Sequence, residues 1–189
     1  MTVKTGEVVK LTDPVDPAGL EQTVLVDKTG TLNLENDSTL SVGNLIYAAG
    51  TLNTVYVAGA TNQTALIIGK LYVDKAGSVI IADAAPANKF NRLTVTGDIA
   101  LDGTLKMHVD GAGAGKDLVD TSGAFLVQAN HKLDVTYKNK ATAPAVGTSW
   151  VVITADSVSA APIPSDPVHY NSTLDVDKET VTITYRENG

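Results

Sequence analysis

One phrase recurs along this chain. TVLVDKTGTLNL at residues 23–34 returns as KLYVDKAGSVII at residues 70–81, 47 positions on. Val26-Asp27-Lys28 matches Val73-Asp74-Lys75, and Gly30-Thr31 matches Gly77-Ser78. The same opening, a glycine, then threonine and an apolar-rich strand, appears at Gly50 (GTLNTVYV) and at Gly103 (GTLKMHV). Steps between successive glycines of this set are 20, 27 and 26 residues. A second pair, NRLTVTG at 91–97 and KDLVDTSG at 116–123, places Gly97 and Gly123 26 residues apart. A unit this small cannot bury its own apolar face, so its copies must stack. Short stretches of alternating apolar residues, without a helical period, select a β-solenoid over helical repeat arrays.

Residues 93–109, LTVTGDIALDGTLKMHV, show the unit most clearly. Leu93 and Val95, then Ile99 and Leu101, then Leu105, Met107 and Val109 alternate with polar neighbours, and Gly97 and Gly103 mark the turns. Chains that turn every few residues in this way wind as a coil. About five coils are expected between Thr23 and Tyr137 from a repeat of roughly 20 to 27 residues. Loops are expected at the corners: NLIYAAG (44–50), AGATNQT (58–64), ADAAPANKFN (82–91) and DGAGAGK (110–116).

The expected fold class is therefore all-β, a right-handed parallel β-helix, in one continuous domain with three parts. Residues 1–22 are an N-terminal cap with a strand at 6–11 and a turn forced by DPVDPAG; residues 23–137 are the coils; residues 138–189 are C-terminal strands and a closing hairpin. The hairpin is expected from Thr173–Val176, a turn at 177–179 and a strand at 180–185. The alternative is a β-sandwich, which also has short strands at regular spacing. Internal sequence repetition favours the coil.

Composition narrows function by exclusion. A formal charge of −7 argues against nucleic acid and against anionic membrane surfaces as partners. The absence of cysteine removes disulfides, thiol chemistry and cysteine zinc sites. No apolar run approaches the ~20 residues of a membrane span. The opening MTVKTGEVVKLTD lacks a basic segment followed by an apolar one, so it does not read as a signal peptide. The expectation is a mature segment behind an added initiator Met.

LTVTGDIALDGTLKMHV, GTSWVVITADSV at residues 147–158 and the terminal hairpin together resemble the end of a bacterial autotransporter passenger. They are also similar to the autotransporter-associated β-strand repeats of large surface proteins. Asn91 and Asp117 stand where those repeats carry Asp, Gly97 and Gly123 at their Gly, and Gly147-Thr148 with Ile153-Thr154-Ala155 at their later strand. The resemblance runs over residues 30–185, but the Gly-x-Phe usual after the last motif is missing from AAPIP at 160–164. What it implies is a right-handed parallel β-helix that is extracellular or on the cell surface, and structural or adhesive. It brings no catalytic residues.

Residue types that could carry chemistry are few. GAGAGKD at 111–117 lacks the first glycine of a phosphate loop, because Asp110 stands there, and Asp117 replaces the Mg²⁺-binding hydroxyl. It reads as a flexible corner loop. His108, His131 and His169 have no ligand spacing. Asp27-Lys28 and Asp74-Lys75 fall at equivalent places two coils apart, and Asp98, Asp102 and Asp110 could cluster, as polysaccharide-acting β-helix enzymes require. A two-coil gap of about 9–10 Å is too wide for a shared proton. Calcium is the one metal the Asp-rich corners suggest, although the Gly-Gly-x-Gly-x-Asp nonapeptide is missing. Thr-x-Thr at 94–96 and 182–184 is too sparse for a ranked array on every coil.

Tyr47, Tyr56, Tyr72 and Trp150, together with Tyr137, are the candidates for an exposed aromatic strip that contacts glycans. The expected function is a non-catalytic structural or adhesive segment, with no cofactor, associating with itself end to end or with a surface glycan or protein. A carbohydrate-binding module and a polysaccharide-acting enzyme are the alternatives.

Overall fold

Alternation of apolar and polar residues sends every second side chain inward, and glycines at the corners let successive turns lie close together. The computed structural model describes residues 2–3, 8–11, 23–60, 63–83, 86, 88–113, 115–138 and 143–186, with residues 2–3, 8–11, 82 and 83 described by backbone alone. Among these residues there are eighteen strands and no helix.

Each turn of the chain passes through three straight runs. The third run is the simplest: Val8–Leu11 (β2), Thr31–Glu35 (β4), Thr51–Val55 (β6), Ser78–Asp83 (β8), Thr104–Asp110 (β11) and Lys132–Lys138 (β14) form a six-stranded, wholly parallel sheet. Five of these strands lie between Thr23 and Lys138.

The other two runs belong to a twelve-stranded sheet. Its first run contains the opening halves of Thr39–Ala48 (β5) and Thr64–Val73 (β7), then Arg92–Val95 (β9), Leu118–Thr121 (β12) and Ser149–Thr154 (β15). Its second run contains Thr2–Val3 (β1), Thr23–Val26 (β3), the closing halves of β5 and β7, Ile99–Leu101 (β10), Ala124–Val127 (β13) and Ser157–Val158 (β16). The break between the runs falls where the β5–β7 register shifts, between Ser41 and Leu45, and at Gly69, whose φ is +134°.

Inward positions stack into columns. Leu32, Leu52, Val79, Leu105 and Leu133 are in register and all at most 2% exposed. Each such side chain contributes roughly 1.5–3 kcal/mol of burial. The recurring glycines form a second column, joined by backbone bonds from rung to rung: Thr51 N donates to Gly30 O at 2.9 Å, Ser78 N to Gly50 O at 2.9 Å and Thr104 N to Gly77 O at 3.0 Å. The 20-, 27- and 26-residue steps seen in the sequence are steps between rungs. The 26-residue echo is likewise a register, pairing Leu93 with Val119 and Val95 with Thr121.

At the C-terminal end the parallel order stops. β15 receives Thr180–Tyr185 (β18) antiparallel, and Tyr170–Asp175 (β17) completes a hairpin with β18. The hairpin is the expected one, with its first strand beginning three residues earlier. Residues 163–165 run along the edge of β14, where Leu133 N donates to Ile163 O at 3.3 Å and Ser165 N to Leu133 O at 2.7 Å. At the other end β1 and β2 pair in parallel with β3 and β4. The turn-forming DPVDPAG segment of the expected cap lies outside the described residues.

Parallel pairing of successive turns replaces the β-sandwich alternative, whose sheets are antiparallel. One expected loop is also corrected. Of residues 44–50, those up to Ala48 form the closing half of β5, with Ile46 and Ala48 inward. Leu45 and Tyr47 are apolar residues on the outward face, so the period-2 signal was hidden in this segment. That outward face carries the candidate site.

Candidate binding face

On the second run, outward residues are aligned in rows across rungs. Leu25, Tyr47, Tyr72, Ala100 and Leu126 are in register in five successive strands. The rings of Tyr47 and Tyr72 stack with centroids 5.2 Å apart and planes 22° from parallel, a separation set by the ~4.8 Å strand spacing. Tyr47 OH donates to Asp74 Oδ2 at 2.6 Å, tying the ring to the next rung. That bond, followed by burial and the Asp74 charge, pushes Tyr47 up to about 12. Burial, then the Asp102 and Asp74 charges, raise Tyr72 as well. The Tyr47 bond, with one from the Ala76 amide, holds Asp74 below the usual carboxylate range.

Both flanks of the tyrosine row are polar. On one side Lys70 Nζ lies 2.9 Å from Asp98 Oδ2. On the other, Asp102 accepts Asn130 N at 3.0 Å and Asn130 Nδ2 at 3.1 and 3.2 Å. The face therefore consists of an aromatic and aliphatic stripe between two lines of hydrogen-bonding groups.

A titration checks the Tyr47–Asp74 bond. With Tyr47 raised, the unfolded chain loses its proton first as pH passes 10.0, so the folded state loses stability between there and about 12. Ultraviolet tyrosinate absorbance should show one tyrosine ionising near pH 12, and Asp74→Asn should return it towards 10.0. An unchanged titration in that variant would show that the bond does not set the ionisation.

The structure separates the other aromatic candidates from this row. Tyr56 follows β6, away from the second run. Trp150, expected as a surface contact, is 2% exposed and donates Nε1–H to Gly113 O at 3.1 Å. It occupies an inward position of β15, so its ring fills the core. Tyr137 joins a different cluster near the closing hairpin, at 82° to Tyr185, whose ring also meets Tyr170 at 72°. Burial raises Tyr170 strongly, and its hydroxyl is buried without a hydrogen-bond partner among the described residues. Beside it, Asp166 Oδ2 is 2.5 Å from His169 Nδ1. Burial works upward on Asp166, but bonds from His169 and Val168 carry it below the usual carboxylate range.

Sequence reasoning missed one juxtaposition. Asp117 is fully buried, and its Oδ2 is 2.9 Å from His108 Nδ1. The same carboxylate accepts Asn91 N at 3.0 Å and His108 N at 2.8 Å. Asn36 Nδ2 in turn donates to Gln63 Oε1 at 3.0 Å and Asn91 Oδ1 at 3.1 Å, making a polar column through one corner of several rungs. The available signal was the 26-residue echo that places Asn91 and Asp117 at equivalent positions. The described residues of GAGAGKD, 111–113 and 115–117, lie at the corner anchored by Asp117, where Asp110 N donates to Gly115 O at 2.7 Å.

The remaining candidates are dispersed. The three histidines have separate partners: His131 accepts Ile163 N at 3.0 Å, His108 pairs with Asp117 and His169 pairs with Asp166. Asp27 and Asp74 follow equivalent residues two rungs apart, as expected. Asp98 and Asp102 flank β10, whereas Asp110 caps Ala112 N at 2.9 Å beyond β11, so the three do not form one cluster. Among the described residues no group of three or more His, Cys, Asp or Glu could hold a metal ion. No protein-family model matches the chain, and no curated protein matches it.

Proposed function

We propose that this chain is a non-catalytic structural or adhesive segment of a bacterial cell-surface protein, built on the autotransporter-like pattern its sequence resembles. The observation that carries the reading is the alignment of outward side chains in rows on a rigid stack. A surface of this kind is suited to presenting repeated contacts. The carboxylates on it are engaged in fixed pairs, and Asp74 and Asp98 are held low by Tyr47 and Lys70. A glycosidase general acid needs the opposite shift, so these pairings favour a scaffold over an enzyme.

The antiparallel hairpin also bears on self-association. Head-to-tail growth requires two complementary ends, and at one of them the sheet finishes in the antiparallel β18 and β17, with β17 as its last strand. An antiparallel edge does not match the parallel β1 edge at the other end, which disfavours copying of the segment into a filament. Light scattering after size exclusion should give one mass across a wide concentration range; rods lengthening with concentration would overturn this. Incubation with neutral and acidic polysaccharides should release no reducing ends or unsaturated uronates. Product release that is lost on Asp102→Asn would replace the scaffold reading with an enzymatic one.

A further inference from the structure

The outward row of the second run contains four large side chains and one methyl group: Leu25, Tyr47, Tyr72, Ala100 and Leu126. Ala100 leaves a notch one rung deep. One face of the Tyr72 ring is covered by Tyr47, and its other face looks across Ala100 towards Leu126, an exposed apolar side chain. Tyr72 and Leu126 are two rungs apart, about 9–10 Å at the usual strand spacing. Rings stack at about 4.5–7 Å between centres, so a single ring seated at the level of Ala100 continues the row. The notch forms part of a groove of about 360 Å³, within the range of roughly 300–1,000 Å³ found for ligand sites.

We propose that this notch is a subsite for one neutral pyranose ring of a glycan. A pyranose has C–H faces that suit Tyr72 above and Leu126 below, and hydroxyls around its rim. The rim of the notch is polar on both sides, with Lys70 and Asp98 before Ala100 and Asp74 and Asp102 after it. A protein aromatic side chain would match the faces but offer at most one polar group, a Tyr O–H or a Trp N–H, to a rim that is polar on both sides. The charges around the notch balance, Asp74, Asp98 and Asp102 against Lys70 with Lys28 and Lys75 near Asp74, so there is no net attraction for a uronate over a neutral ring. Tyr47–Asp74 and Lys70–Asp98 hold the walls in place before ligand arrives, which limits the ordering cost of binding.

This site names a ligand class for the adhesive reading and rests on that reading only for its setting; the hydrolysis and scattering tests above can fail without it. The probes are cellotetraose, β-1,4-mannotetraose, β-1,4-galactotetraose, tetragalacturonate and N-acetyltyrosinamide. Each is titrated against the intact chain and followed by saturation-transfer NMR and calorimetry. At least one neutral tetrasaccharide should bind, and Ala100→Leu, which fills the notch at an outward position, should weaken it about tenfold or more, equivalent to ~1.4 kcal/mol. Thermal unfolding should show that this variant folds as the parent does, and Tyr72→Ala supplies an independent loss of the stacking face. The proposal is overturned if no neutral tetrasaccharide binds, or if Ala100→Leu leaves binding unchanged. Tighter binding of tetragalacturonate, or binding of N-acetyltyrosinamide alone, would also overturn it and redirect the site to acidic glycans or protein side chains.

Discussion

Gly77→Ala should destabilise the fold by about 3 kcal/mol, at the upper end of what overpacking costs. A β-carbon at this position would lie 2.0 Å from Ala48 O and 3.0 Å from Ala48 C. Both are backbone atoms of the preceding rung, so relief cannot come from a rotamer change. The rung itself must move, disturbing the bonds from Ser78 N to Gly50 O and from Thr104 N to Gly77 O on either side. For a chain of this length the loss corresponds to a fall in Tm of roughly 6–12 °C. Gly59→Ala and Gly147→Ala are the controls. They have φ of +87° and +85°, and among the described residues nothing lies within 4 Å of the added carbon. Their cost is the left-handed backbone alone, about 1 kcal/mol. Thermal unfolding of all three separates close approach of rungs from backbone strain. Equal losses would show that room between rungs is not why glycine stands at the corner.

Asp117→Ala should cost as much or more, about 3–5 kcal/mol, the range for removing one partner from a buried charged arrangement. The carboxylate accepts two backbone N–H groups, from Asn91 and His108, and lies against the His108 ring. Alanine leaves those donors buried and unpaired, each at roughly 1–3 kcal/mol. Asp117→Asn should be milder, because it keeps one acceptor oxygen while turning an amide towards another donor. Urea unfolding gives the loss, and hydrogen exchange gives its location: the amides of Asn91 and His108 should exchange faster than those of the distant Tyr47–Tyr72 face. A loss within about 0.5 kcal/mol of the parent, typical of surface changes, would remove Asp117 from the list of structural anchors.

These two positions show how differently parts of the fold are written in the chain. Gly77 was visible because a repeat marks it together with Gly30, Gly50 and Gly103. Asp117 was visible only as a position that echoes Asn91; the company it keeps was not. His108 is nine residues before it, at no ligand spacing, and the two meet because the corner loop folds back onto β11. Trp150 was misread for a related reason. An aromatic residue near a strand start has the same local signature inward or outward, and here the phase of β15 turns it into the core.

The solenoid itself was legible from residues alone. Its short alternating strands, its glycine steps and its closing hairpin are local or periodic features, and stacking is the only way such units bury their apolar faces. Columns of equivalent residues follow directly, which is why Asp27 and Asp74 could be aligned in advance. Tertiary structure decided the candidate site. The 25- and 28-residue spacings that bring Tyr47, Tyr72 and Ala100 into one row depend on how many residues each corner loop absorbs. Loop lengths vary from turn to turn, so neither the stacked rings nor the gap at Ala100 exists as a sequence pattern. Both arise only when the hydrogen-bonded ladder sets the register.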